Sequence, residues 1–82
     1  MQLNRATMTS ITSAIASTDT TVQVANAEYF TPNMPIYFVD NSTSTEYGRT
    51  NYYIITAVDE VNGVITIDQT AGFSSSDVTV YP

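Results

Sequence analysis

Cysteine, histidine and lysine are all absent from the 82 residues. Without thiols there is no disulfide and no thiolate metal site. Without imidazole the side chain that most often serves as general base and metal ligand is missing. The only basic residues are Arg5 and Arg49, and the net charge is −6. Nucleic-acid binding draws most of its affinity from Lys and Arg neutralising phosphates. No nucleic-acid partner is therefore expected, and an anionic membrane surface would repel the chain. No apolar run approaches the about 20 residues that span a bilayer. Met1 to Arg5 lacks an apolar core behind a basic start, so no signal peptide is expected. Synthesis in a cytoplasm as a soluble protein is the expectation.

Charge is scarce altogether. Charged residues make up 12% of the chain, against about a quarter in ordinary soluble domains. Ser, Thr and Asn take the polar positions instead. Small uncharged polar groups cost little to desolvate, which suits a surface packed against neighbours. The length allows one domain, and a chain this short buries only about 60–65% of its unfolded surface. Small domains usually need a disulfide, a metal or association with other chains. With cysteine and histidine missing, association is the staple that remains.

Residues 1–18 differ from the rest. Leu3, Met8, Ile11 and Ile15 are spaced through a Ser, Thr and Ala background. Met8, Ile11 and Ile15 fit one face of a helix, but the Thr and Ser content and the lack of a cap oppose one. The segment is expected to be an extended or partly helical arm that must dock on something, because it has too few apolar residues for a core of its own. Residues 19–82 are expected to form a single β-domain. Thr20 to Val24 alternates as a strand. Asn26 to Asn33 reads as a loop in which Tyr29 or Phe30 plugs the core. Ile36 to Val39 is a second strand, Asp40 to Gly48 the longest loop, and Tyr52 to Val58 a third strand. Asn62-Gly63 between alternating apolar runs is a hairpin signal, because both residues tolerate positive φ. Val64 to Asp68 and Asp77 to Tyr81 complete five strands, separated by a loop holding Gly72 and Phe73. The expected fold is all-β, a small five-stranded barrel or sandwich.

Two of these strands are apolar on both faces. Ile36 and Phe38 alternate with Tyr37 and Val39, and Tyr52 and Ile54 alternate with Tyr53 and Ile55. A small barrel has only one inside. Ile36, Phe38, Tyr52 and Ile54 are taken as the core set, and Tyr37, Val39, Tyr53 and Ile55 as an interface set. A one-residue slip in register would exchange them. With Leu3, Met8, Ile11, Ile15 of the arm and Tyr47 of the long loop, they form the candidate interface.

Little in the chain can carry chemistry. A hydrolase needs a nucleophile and a base with a pKa near working pH, and no Ser or Thr has an evident activating partner. The one adjacent acidic pair, Asp59-Glu60, falls in a hairpin turn, where solvation is the ordinary reason for it. Asp40-Asn41 and Asp59 with Asn62 offer fragments of a calcium loop without its spacing. No enzyme activity, cofactor or metal is expected. Six tyrosines invite a sugar-stacking reading, with Tyr47 the natural candidate. The competing explanation is that Tyr suits β-strands and protein interfaces.

The stretch Ala14-Ile15-Ala16-Ser17-Thr18-Asp19-Thr20-Thr21-Val22-Gln23-Val24, followed by Ala27-Glu28-Tyr29-Phe30, resembles an opening that recurs in the small β-domains of bacteriophage virion proteins. Tyr53 to Asp59 and Asn62 to Asp68 resemble the paired strands of those modules. The likeness runs from about Ala14 to Tyr81. It departs at Thr31-Pro32-Asn33-Met34-Pro35, where the pattern often carries a glycine turn. It implies a virion structural role with no catalytic residues, in head-decoration, tail or fibre proteins. The expected function is a capsid decoration or cement subunit, present in many copies or as a homo-oligomer. Its expected partners are the major capsid protein or other virion subunits. The alternative is a tail or fibre module that binds glycans.

Overall fold

A computed structural model describes residues 8–82. Seven strands follow one another: β1 (Thr9–Ser10), β2 (Thr21–Gln23), β3 (Pro35–Asp40), β4 (Thr45–Tyr47), β5 (Tyr53–Asp59), β6 (Val64–Ile67) and β7 (Val78–Tyr81). A 3-10 turn, Ala27–Tyr29, lies between β2 and β3. The fold is all-β, a curled antiparallel sheet in the order β1-β7-β3-β5-β6-β2, with β4 added alongside β3. Just past the ends of that order, the Thr12 amide donates to Gln23 O (2.9 Å) and the Ala25 amide to Ser10 O (3.0 Å). Ile11 pairs with Val24 between them. The sheet therefore curls until its first and last strands touch.

Five strands were expected and seven are present. The expected positions of β2, β3, β5, β6 and β7 agree with the observed ones to within about a residue. β4 is the addition inside the predicted Asp40–Gly48 loop. It is only Thr-Glu-Tyr, too short to show alternation, and it returns along β3 after a four-residue turn closed by the Asp40–Thr45 pair. Ser44 sits in that turn at φ +58°. β1 is the other addition, and it corrects the reading of residues 8–18 as an arm apart from the barrel. Thr9 and Ser10 pair with Val80 and Thr79 of β7. Thr9 is buried, and its hydroxyl accepts a hydrogen bond from the Asn26 amide (3.0 Å). Further on, Ile15 and Ser75 exchange two backbone hydrogen bonds (2.8 and 3.1 Å), and Gly72 donates to Ser17 O (2.9 Å). The segment is extended because its Ser, Thr and Ala backbone is paired on the sheet's seam and on the loop before β7. Leu3 lies outside the described residues.

One core fills the inside of the curl. Ile36 and Phe38 of β3, Val78 and Val80 of β7, Ile65 and Ile67 of β6, and Val22 of β2 point inward by strict alternation. Phe30, buried just after the 3-10 turn, plugs one side, while Tyr29 stays exposed. β5 departs from expectation. Tyr53 (7% exposed) and Ile55 (0%) face the core, while Tyr52 is 52% exposed and Ile54 half-buried. The inward set in β5 is thus the reverse of the one anticipated. Two features fix it. Pro35 pairs with Ile54 and Ile36 with Tyr53, so Tyr53 shares the inner face with Ile36. A bulge between Ile55 and Ala57 then inserts one residue, so Val58, rather than Ala57, packs back onto the core opposite Ile65.

The β5–β6 hairpin also differs in detail. Only Gly63 takes positive φ (+67°); Asn62 does not. The loop is closed by the Asp59–Val64 pair. The Asp59 carboxylate holds it, accepting from the Asn62 amide (3.1 Å) and the Asn62 side chain (2.8 Å). An extra Cβ on Gly63 would stand 2.9 Å from Val24 O, so glycine is needed there for space as well as for φ.

Candidate functional site

The outer surface of β1, β7, β3 and β4 carries the one cluster of half-exposed aromatic side chains that the core does not use. Tyr37 of β3 is paired with Tyr81 of β7, so both project outward. Their rings stack with centroids 5.0 Å apart and planes 8° from parallel. Arg49, two residues past β4, lays its guanidinium over Tyr37 at 4.7 Å from the ring centre. It also pairs with Glu46 at 3.0 Å. Continuing the β1–β7 register places Met8, 45% exposed, beside Tyr81. The result is a row of Met8, Tyr81, Tyr37 and Arg49 across the sheet. A second row, Ser10, Thr79, Val39 and Glu46, follows from the pairings of Thr79 with Ser10 and Val39, and of Val39 with Glu46. Tyr37, stacked on Tyr81 and covered by the Arg49 guanidinium, is held by its neighbours within the fold. Such a face has less ordering entropy to lose when it docks.

The predicted interface residues divide. Tyr37 and Val39 lie on this face, and Met8 at its margin. Ile11 is half-buried in the seam against Val24, and Ile15 is buried in the core. Tyr53 and Ile55, expected on the interface, are core residues, for the reasons of pairing and bulge given above. Tyr53 donates its hydroxyl to Ala71 O (2.6 Å), and burial pushes its pKa above the usual tyrosine value. Tyr47 is half-buried and stacked on Phe73, with centroids 4.1 Å apart and planes within 1°. Phe73 in turn touches Phe38, which meets Tyr53 edge-on. Tyr47 thus closes one end of the core, with one ring face taken. The sequence reading missed Tyr81 and Arg49. Alternation in β7 against Val78 and Val80 would have turned Tyr81 outward. Nothing in the sequence signals the return of Arg49 over Tyr37, which needs Gly48 at φ +89°, where a Cβ would stand 2.6 Å from the Tyr53 ring.

Asp40 is the other residue with a defined polar role. It is buried at the end of β3, and its Oδ1 accepts from the Ser42 hydroxyl (2.6 Å), the Ser42 amide (3.1 Å) and the Ser75 hydroxyl (2.9 Å). The carboxylate ties the β3–β4 turn to the loop before β7. The Ser42 hydroxyl, chiefly, holds its pKa below the ordinary 3.8, with Ser75 and the Ser42 amide acting the same way against the opposing effect of burial. Asp59 is lowered by Asn62, and Glu28 by Asn26. All three carboxylates are lower in the folded chain, so their stabilisation is complete above their unfolded values and lost as pH falls through the folded ones. Urea unfolding should therefore show stability falling below about pH 4. Asp40→Asn should be less stable than the parent at neutral pH and lose less on acidification, so that the two curves converge. Parallel curves would remove Asp40 from this account.

Among the described residues, no group of three or more acidic side chains is gathered to hold an ion. A shallow cleft of about 200 Å³ lies between β2 and residues 13–19. Its one charged side chain, Asp19, accepts the Ala16 amide (2.9 Å). Asp59 at the end of β5 and Glu60 in the turn after it are exposed, next to Val61, which is 94% exposed. No family model, no curated protein and no solved structure matches this chain.

Proposed function

We propose that the chain is a structural subunit of a larger assembly, a bacteriophage particle, where it docks on neighbouring protein subunits and strengthens the shell. The observation that carries this reading is the outer face of Tyr37, Tyr81, Val39 and Arg49. The inside of the sheet is already filled, so these side chains serve no core. Tyr and Arg are the residue types enriched at the centres of protein interfaces. The composition supports the same reading: a thin core without staples, few charges, and a polar surface of Ser, Thr and Asn that costs little to desolvate. The resemblance of Ala14–Phe30 and of the β5–β6 hairpin to virion β-domains supplies the kind of assembly, and a decoration or cement subunit is the form favoured here. The mechanism is mechanical: apolar area removed from water between subunits contributes about 25 cal/mol per Å² before association costs. A tail or fibre module that binds glycans is the second reading. Its candidate, Tyr47, has one ring face occupied by Phe73.

The test is a double variant, Tyr37→Ser with Tyr81→Ser. Both side chains lie outside the core, so circular dichroism should match the parent. Incorporation into particles should fall by about tenfold or more, since truncating desolvated aromatic anchors often costs about 2 kcal/mol or more. Particles that take up the variant as well as the parent would overturn the assignment of this face.

A further inference from the structure

Among the described residues, the face built by Tyr37 and Tyr81 carries fewer carboxylates than the opposite side of the sheet. There are eight acidic residues. Asp19, Glu28, Asp59, Glu60 and Asp68 lie on or beside β2, the 3-10 turn, β5 and β6. Asp40 is buried. Asp77 stands just before β7, bonded by Asn41 (3.2 Å). Its side chain shares the Asn41 amide with Thr79 (3.0 Å), so it marks the margin of the face, where Glu46 also lies, paired with Arg49.

We infer that this face is covered by a second copy of the chain, related by a two-fold axis. The inference rests on the subunit reading above and names the neighbour. Charge decides which surfaces of two identical chains can meet. Contact through the β5–β6–β2 side would set carboxylates against carboxylates. Contact through the aromatic face leaves them on the far sides of two domains, each 21 Å across at its narrowest. That separation exceeds the about 8 Å over which charge acts at physiological salt. A two-fold interface must also be complementary to itself. Glu46 and Arg49 supply this, because they stand side by side and both are about half exposed (49% and 52%). Rotation about an axis between them sets Arg49 against Glu46 of the second copy, and Glu46 against its Arg49. The same rotation exchanges the two rows, so the stacked rings of Tyr37 and Tyr81 lie over Val39 and Thr79 of the second copy. The other way to join two copies is edge to edge through β4, which among the described residues pairs only with β3. Antiparallel pairing of β4 with itself, centred on Glu46, would place Glu46 opposite Glu46. Like charges directly across a ladder are destabilising, so the edge is guarded while the face is open.

Sedimentation velocity on the whole chain tests this. The parent should show a reversible dimer between about 0.1 and 1 mM, the range for a contact at the small end of interface sizes. Arg49→Glu replaces the Glu46–Arg49 pair with two carboxylates, and Glu46→Arg replaces it with two guanidinium groups. Each variant by itself should associate about tenfold more weakly or worse. An equimolar mixture of the two should restore the dimer, because each then offers what the other needs. Both side chains are half exposed, and matching circular dichroism establishes that the variants are folded. A parent that stays monomeric to about 1 mM, variants that associate like the parent, or a mixture that gains nothing would each overturn the two-fold pair. A monomeric parent that still enters particles in a manner dependent on Tyr37 and Tyr81 would overturn the pair alone and leave the subunit reading standing.

Discussion

Ile55→Ser is expected to unfold the isolated domain, while Ile54→Ser is expected to leave it folded. Ile55 is fully buried in β5, opposite Ile67 and within the cluster that holds Ile36 and Phe38. Truncating a buried isoleucine costs about 2–5 kcal/mol, and an unpartnered buried hydroxyl adds about 1–3 kcal/mol. A chain of this length has a total stability of only about 4–12 kcal/mol, at about 0.05–0.15 kcal/mol per residue. Ile54 is half-buried on the other face, and its contribution to β5 is through its backbone. Its amide donates to Asp68 Oδ1 (3.0 Å), and its carbonyl accepts from the Asp68 amide (3.0 Å). A side-chain change leaves both bonds in place, and the cost should stay near 1 kcal/mol. Chemical denaturation followed by circular dichroism separates the two variants. If Ile54→Ser unfolds the chain and Ile55→Ser does not, the pairing of Ile36 with Tyr53 is wrong by one residue.

Deleting the residues before Ile11 is the second large effect. From the sequence alone, this deletion should spare the β-domain and weaken only assembly. The structure reverses the expectation. The deletion removes β1, and with it the pairing on β7, the buried Thr9 whose hydroxyl accepts the Asn26 amide, and the Ser10 carbonyl that accepts the Ala25 amide. At about 1 kcal/mol for each hydrogen bond, and with the β7 edge opened to water, the loss is about 3 kcal/mol or more. The truncated chain should unfold at a clearly lower urea concentration. Retention of the parent's midpoint would return residues 8–10 to the role of a separate arm.

The parts of the fold that were legible in the sequence are those whose pattern is local. Val22 and Val24, Ile65 and Ile67, and Val78 and Val80 each alternate with polar residues, and each pair points inward as alternation dictates. β3 was placed correctly on both faces, with Ile36 and Phe38 in and Tyr37 and Val39 out. β5 was not, because Tyr52 to Ile55 is apolar without a break and offers two equivalent readings. The choice depends on pairing with β3 and on a bulge at Thr56, and neither is written in the strand itself. β1 and β4 were missed for a related reason. Two- and three-residue strands have no periodicity, and theirs is imposed by β7 and β3. The candidate site was half legible. Tyr37 and Val39 could be found from alternation. The partnership of Tyr37 with Tyr81 and Arg49 joins residues 44 and 12 positions away, and it exists only once β7 and β4 flank β3.

The most direct test of the central claim is a cryo-electron microscopy reconstruction of the particle, at a resolution that shows side chains. The account predicts copies of this chain in the structure, each with Tyr37, Tyr81 and Arg49 buried against a neighbouring subunit and with Ile55 inside the domain. A particle that lacks the chain, or one in which Tyr37 and Tyr81 face solvent in every copy, would contradict it.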